Sequence, residues 1–420
     1  AHDVKKSLLR MMDPELDSLG VWIARGIDGA TDVIEGRADD ADGITVVDDH
    51  TLEIRLSQPL AFFILLMSMP ETAVIPVDDV SNEEMRLSPI GSGPFKLDDV
   101  VEGQHIKMSR NEGYYDEKRP YLDELTVRLD LKSSRNVVDA FVQGELDIAH
   151  GIPPNIVKEL RDDPEYAPYL LSGVQLHTSY IGYDHSSEPF NNVEVRQAFA
   201  HAINKERINR EIFSGLGLIA KSIVPPGLLG YDPDARDYHY DPEKARDLLR
   251  KAGYQNGFEV NYWTFDTDEF NNSGQVDLII EDLADIGIKV NKSRLGATEA
   301  RERHSGKGHN SIFVGNWYAD FPDADNYFFI FFHSTSKAIP GVNYHSDEID
   351  QKIEEARRTI DIERRSEIYR ELNHQTIRDA ALVYLFHDRM FVLHRPRVRG
   401  VKIHLSPPPL RYDDVWIEKD

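Results

Sequence analysis

The 420-residue chain has no cysteine. That excludes disulfides, thiolate metal sites and a cysteine nucleophile, and it removes any acylated cysteine from this sequence. A cysteine-free chain of this length is compatible with an exported location. Long apolar runs are also missing. A bilayer span needs roughly 18 apolar residues, and the longest run, Leu60 to Met67, is the size of a core segment. The opening residues, Ala1–His2–Asp3–Val4–Lys5–Lys6, contain no apolar stretch of the signal-peptide kind. Positive charge is in deficit: 48 Lys and Arg face 73 Asp and Glu, a net charge of −25. Nucleic acid is therefore not an expected partner, because phosphate binding needs basic surface. Such a field favours cationic ligands by long-range steering, although a solvated acidic surface explains the same composition. Neither a Gly-x-Ser-x-Gly elbow nor a His-Glu-x-x-His helix occurs, so no activated nucleophile or zinc helix is read.

What is present belongs to a soluble globular protein, 40% hydrophobic and 29% charged. The length allows two or more lobes, each with its own core. The chain opens inside a helical pattern (Val4, Leu8, Met11, Met12), from which further sequence upstream is expected. Ile44–Val47 and Thr51–Leu56 read as a hairpin around Asp48–Asp49–His50, and 60–67 as a buried helix. Gly91–Ser92–Gly93–Pro94 leads into a strand at Phe95. Val174 to Tyr183 is an extended, aromatic-bearing run. Asn192 and Asp241 stand as helix caps, the latter followed by Pro242 at a first turn. The strand 258–263, helix 276–286 and strand 288–290 alternate as a crossover unit, which implies parallel pairing. Two charged amphipathic helices, 347–359 and 362–377, precede a strand at 382–386.

The stretch Gly315 to Phe328 carries the most chemistry. It follows an apolar run, Ser311–Ile312–Phe313–Val314, that reads as a buried strand. Gly, Pro and Asp then predict a loop at that strand's C-terminal end, the edge where open α/β sheets place ligands. Trp317, Tyr318 and Asp320 there suit a cationic head group, through ion pairing and cation–π attraction. The plainer alternative is a turn whose aspartates cap backbone amides while its rings fill core.

Several stretches in series resemble one family, the peptide-binding solute receptors of ABC importers. They are Gly91–Ser92–Gly93–Pro94–Phe95–Lys96–Leu97, Asn111–Glu112–Gly113–Tyr114–Tyr115 and Asn192–Val193–Glu194–Val195–Arg196–Gln197–Ala198–Phe199. Tyr240–Asp241–Pro242–Glu243–Lys244–Ala245, Ile286–Gly287–Ile288–Lys289–Val290 and the 315–328 segment complete the set. The resemblance implies an α/β, two-lobed, periplasmic-binding-protein-like (type II) fold with a hinge that closes on a ligand. Its lobes would be 1–172 and 173–389, with 390–420 returning to the first. Relatives usually carry a further segment ahead of Asp3, so the N-terminal part of the first lobe is expected to be missing. The resemblance gives Asp320 to a peptide's α-ammonium and Trp317 to the cavity wall.

One departure bears on the ligand. The dipeptide receptors of this family place an Arg after the strand at 258–263, where it takes the peptide carboxylate. Here Asn271–Asn272–Ser273–Gly274–Gln275 holds no cation. That favours oligopeptides over dipeptides, or a cationic ligand that is not a peptide. Asn271 and Phe265 join Asp320, Trp317 and Tyr318 as candidate ligand-binding residues.

The expected protein is thus a monomeric, non-enzymatic receptor, periplasmic or extracellular and membrane-associated, serving the membrane subunits of an ABC permease. It needs no cofactor and no metal. The alternatives are a sensing domain of a larger regulator and a receptor for a nickel chelate, haem-like compound or oligosaccharide. His304 and His309 form a histidine turn that lacks a third ligand and reads as solvated loop. Asp323 and Asp325 lack the spacing of a calcium loop and are read as turn and cap residues.

Overall fold

The computed structural model describes the chain except residues 77–84, 86–87, 237, 266–273, 296–298, 300–301, 303–309, 337, 340 and 419–420, and the side chains of 263–265 and 294–295. The first core forms around α1 (His2–Met12), whose Leu8, Met11 and Met12 lie on one face as their helical spacing requires. They pack with Ile23, Ile27, Phe62 and Leu66 and with the antiparallel hairpin β1 (Ile44–Asp48) and β2 (Thr51–Ile54). The helix expected over 60–67 is a single turn, Phe63–Leu66, that buries Phe63 and Leu66 and leaves Ile64 in solvent. Phe321, from far along the chain, closes this core by stacking on Phe62 and Trp22.

A second antiparallel sheet, β3 (Phe95–Val101), β4 (His105–Arg110) and β5 (Glu124–Arg128), follows. Next come α2 (Ser134–Val142), capped by the Ser133 hydroxyl on the Asn136 N–H, and β6 (Ile148–His150). Then α3 (Pro154–Asp162) buries Ile156, Val157 and Leu160 against Phe141, Phe391 and Leu393. The region read as one lobe, 1–172, therefore contains two separate apolar cores.

The main sheet runs, in spatial order, β10 (Ile288–Leu295), β9 (Phe258–Phe265), β11 (Ser311–Tyr318), β7 (Leu170–Tyr183), β12 (Val383–His394) and β6, with the short β8 (Leu218–Ile219) added to β12. Its long members are β7 (Leu170–Tyr183) and β12 (Val383–His394), antiparallel to one another; β12 also carries β6. Between them in sequence lie α4 (Val193–Ala202), α5 (Pro242–Lys251), β9 (Phe258–Phe265), α6 (Gln275–Asp285), β10 (Ile288–Leu295) and β11 (Ser311–Tyr318). The caps stand where the sequence puts them. Asn192 accepts from the Glu194 N–H at 2.8 Å, and Asp241 from the Lys244 N–H at 2.9 Å. β9 and β10 pair in parallel from Phe258 opposite Ile288 onward, as the crossover through α6 requires.

After β11 come α7 (Asp325–Phe332), α8 (Asp347–Arg358) and α9 (Ile362–Arg378). One face of the sheet buries Ile181, Tyr183, Val260 and Tyr262 under α4 and α6; the other buries Tyr180 and Tyr384 under α7 and α9. Gly182 is required where it stands: the Phe313 ring crosses over it, and a Cβ there would lie 2.3 Å from the ring.

Candidate ligand-binding site

The loop expected from Gly315 begins later. Gly315 to Tyr318 continue β11, pairing antiparallel with Tyr180 to His177 of β7. Backbone pairing to a long central strand outweighs the local turn signal. Gly315 also makes room for Tyr180, whose hydroxyl oxygen would lie 2.7 Å from a Cβ at that position. Strand alternation then separates the two aromatic residues. Trp317 faces the α7 side, while Asn316 and Tyr318 face the other. Ala319 still bonds back to Leu176 at 2.8 Å, and Asp320 is the first residue beyond the strand.

Asn326, in the first turn of α7, organises the Trp317 side. Its side-chain oxygen accepts from the Trp317 indole N–H at 2.9 Å and from the Asp320 backbone N–H at 3.1 Å. Its amide nitrogen donates to Asp320 Oδ2 at 3.1 Å. Asn326 is buried; Asp320 is accessible from a cavity of about 1010 Å³ that Trp22, Phe62, Trp317 and Phe329 also line. Desolvation by these walls raises the pKa of Asp320, the Asn326 bond opposes that shift, and the nearby Glu71 carboxylate adds to it. Among the described residues no cation pairs with Asp320. A neutral amide orients the carboxylate and leaves its charge uncompensated.

Asp323 and Asp325 do more than cap a turn. The Asp323 carboxylate accepts the Asp325 N–H at 2.9 Å, but its main partner is Arg365, which donates to both carboxylate oxygens at 2.7 Å. Arg365 also donates to the Ala356 carbonyl at 3.1 Å, so this buried fork ties the loop to α8 and α9. Asp325 is fully enclosed, and burial pushes its pKa up to about 7. Its Oδ1 has no hydrogen bond and lies 3.7 Å from Arg357 Nε. The Arg357 guanidinium sits over Phe329 at 4.1 Å and Phe62 at 5.6 Å, which fixes it in the cavity wall.

Tyr318 lines a different hollow of about 320 Å³, with His177, Asn316, Asp388, Arg389 and Pro154. Its ring lies 4.2 Å from that of His177, and its hydroxyl donates to Asp388 Oδ2 at 2.9 Å. Phe265 ends β9, with its side chain outside the described set; Asn271 and the pair His304 and His309 lie outside the described residues. Thus Trp317 and Asp320 share one cavity, and Tyr318 faces another across the sheet. Sequence reasoning missed Asn326, Asp388 and Arg389. Only Asn326, a polar residue immediately before the apolar run 327–332, gave a signal. His345, Asp347 and Asp350 bring possible ligand atoms within 4.8 Å of one another at the start of α8, but Asp350 is already engaged by Ser334.

The two cores on the main sheet, the paired long strands and a ligand-sized cavity at the end of β11 define a type II periplasmic-binding-protein fold. Residues 1–338 match the family described as bacterial extracellular solute-binding proteins, family 5 Middle, and the chain belongs to that family of ABC-importer receptors. It is 28% identical over 367 residues to the dipeptide-binding protein of Escherichia coli (strain K12), covering 84% of this chain and 68% of that protein. It is also 28% identical over 367 residues to heme-binding protein A of Haemophilus influenzae, covering 84% of this chain and 66% of that one. The periplasmic binding protein DppA of Helicobacter pylori, solved with the peptide STSA, superposes with a TM-score of 0.78 at 26% identity, covering 100% of this chain and 82% of that chain. The chain thus spans about two-thirds of the length of the curated relatives it matches.

Proposed function

We propose that this protein captures peptides outside the cytoplasm and hands them to the membrane subunits of an ABC permease. The lobes are 1–172 and 173–389, with 390–420 returning to the first. The protein acts as a membrane-associated monomer, without enzymatic chemistry and without nucleic acid. Ligand binds the closed arrangement better than the open one and so shifts the population toward closure.

The observation that carries this reading is the Asp320 carboxylate, held by Asn326 on the wall of an aromatic cavity with no cation among its described partners. A peptide α-ammonium supplies that missing charge in a charge-assisted hydrogen bond. Trp317 gives an apolar wall fixed by the same asparagine. The dipeptide-binding protein of E. coli and the H. pylori protein solved with the peptide STSA agree with a peptide ligand.

Native mass spectrometry of the purified protein, followed by calorimetry with peptide pools, tests the assignment. Peptides should bind to the wild type and lose affinity on Asp320→Asn. A co-purified haem or other non-peptide compound, with no peptide bound, would move the ligand class toward that of the H. influenzae relative.

A further inference from the structure

We propose that Phe321 is a positioning residue for ligand capture: its ring, seated in the core around α1, holds Asp320 on the wall of the cavity. Resting on the peptide-receptor reading above, this makes the Asp320 contact depend on packing against the first lobe.

Phe321 is the one aromatic residue in the turn Asp320–Phe321–Pro322–Asp323. It is 2% exposed, yet it does not fill its own lobe. The core that encloses it is otherwise built from residues 8–69, and among the described residues of that core Phe321 alone comes from the second half of the chain. Its ring stacks on Phe62 at 5.2 Å and on Trp22 at 6.1 Å, with interplanar angles of 20° and 30°. Phe62 is held from α8 and α9 as well. The Arg365 and Arg357 guanidiniums lie 5.5 and 5.6 Å from its ring centre. The Arg357 carbonyl accepts the Ala61 N–H at 2.9 Å, and Arg358 Nε donates to Gln58 Oε1 at 3.2 Å.

Asp320 thus sits between two anchors. On one side the Ala319 N–H bonds to the Leu176 carbonyl at 2.8 Å and fixes the end of β11. On the other side is the buried ring of Phe321. The Phe321 carbonyl accepts the Asp323 N–H at 2.8 Å, and Asp323 is forked to Arg365 at 2.7 Å. Pro322 between them has its φ locked. Asn326 aims the Asp320 carboxylate, but its bonds stay within the second lobe. Phe321 decides where that carboxylate stands relative to Trp22 and Phe62, which line the same cavity. Aromatic stacking has a preferred geometry as well as buried area. The ring therefore fixes an orientation that an aliphatic side chain in the same place would hold less well.

Consecutive residues do separate work: Asp320 faces the ligand, and Phe321 packs into the lobe that supplies the opposite wall. Seating the ring brings Trp22 and Phe62 up to the carboxylate, and burial by those walls already disfavours its bare charge. A carboxylate shielded in this way gains far more from a ligand ammonium than one in open water, where an ion pair contributes little. With the ring unseated, Asp320 keeps its bond to Asn326 but loses the walls that make the contact strong.

The test offers the wild type, Phe321→Ala, Phe321→Leu and Leu8→Ala a pool of free-amine peptides and the same pool N-acetylated. Leu8 lies in the same core but not on the cavity, so Leu8→Ala reports loss of packing alone. Native mass spectrometry reads capture at a temperature where thermal denaturation shows each variant folded. A lost wall contact weakens both pools alike, so the ratio of free to acetylated peptide isolates the Asp320 contact. The wild type should prefer free amines by on the order of tenfold to a hundredfold. In Phe321→Ala the preference should shrink to within about fivefold, the range of an exposed ion pair. It should recover in part in Phe321→Leu and stay at the wild-type value in Leu8→Ala. A wild-type ratio in Phe321→Ala, or an equal loss in Leu8→Ala, overturns the assignment and leaves the peptide receptor standing. Where Phe321→Ala does not fold, Phe321→Leu decides, and an undiminished preference there overturns it. A wild type without any preference removes the ammonium reading and this inference together.

Discussion

The side chain of Asn326 reaches back six residues to Asp320, donating to its carboxylate and accepting its backbone N–H, each at 3.1 Å. The contact fixes the carboxylate without neutralising it. A lysine or arginine in that place would compete with a cationic ligand; an amide only aims the charge.

Asp320→Asn keeps the geometry and removes the charge. Peptide affinity should fall by on the order of tenfold to a hundredfold, the range for losing a charge-assisted hydrogen bond. The melting temperature should hold or rise slightly, because the surroundings of Asp320 already disfavour its charged form. Calorimetry beside thermal denaturation separates the two effects. Full peptide affinity in the variant would remove the ammonium contact.

Asn326→Leu conserves shape but strips three hydrogen bonds, leaving the Trp317 indole N–H and both Asp320 groups to find other partners. We expect a loss of about 1–3 kcal/mol of stability, the cost of unsatisfied polar groups at a partly buried site. Peptide affinity should drop as well, since the carboxylate is no longer held. Urea denaturation measures the first and calorimetry the second.

Acid should weaken ligand capture and act on stability in the opposite sense. Protonation of Asp320 removes the ligand's counter-charge, and its raised pKa means the loss begins above the ordinary value of 3.8. Asp325 has a folded-state pKa pushed up to about 7 from 3.8, so between those values the native protein holds a proton that the unfolded chain has released. Its contribution to stability is present at low pH and is lost as pH rises through about 7. Stability profiles of wild type and Asp325→Asn should diverge across that window, with the variant flatter. Parallel profiles would place the titration elsewhere.

The pair Asp323–Arg365 should behave as a buried ion pair. Removing one partner with Arg365→Met leaves an uncompensated carboxylate and should cost about 3–5 kcal/mol. The double variant Asp323→Leu/Arg365→Met should recover much of that loss, because desolvation of both charges is relieved together. Denaturant midpoints of these two variants and of Asp323→Leu alone complete the cycle. If the double variant falls as far as the single one, the pair acts through packing rather than charge.

Much of the fold was legible because its signals are local. Asn192 and Asp241 announce helix starts within three residues of themselves, and the crossover 258–295 declares parallel pairing by its alternation. Trp317 and Asp320 stood out as an aromatic ring and an acid at a strand end. The helix α7 was missed because its aromatic run carries almost no polar face. The strand β11 was ended too early because its turn-forming residues are held extended by β7.

The sequence by itself determined the family, the net charge of −25, and the presence of an aromatic ring and an acid near the end of a strand. Composition, caps and short motifs act over a few residues, and they survive without a partner. Tertiary structure alone decided which neighbours those residues meet. Asp323 finds Arg365 across 42 positions and Tyr318 finds Asp388 across 70. Strand alternation sent Trp317 and Tyr318 to opposite faces once the register with β7 was set. No local pattern encodes a register between strands so far apart in the chain. The division between the two cavities, and the place of Arg389 in one of them, therefore arise only when the sheet is assembled.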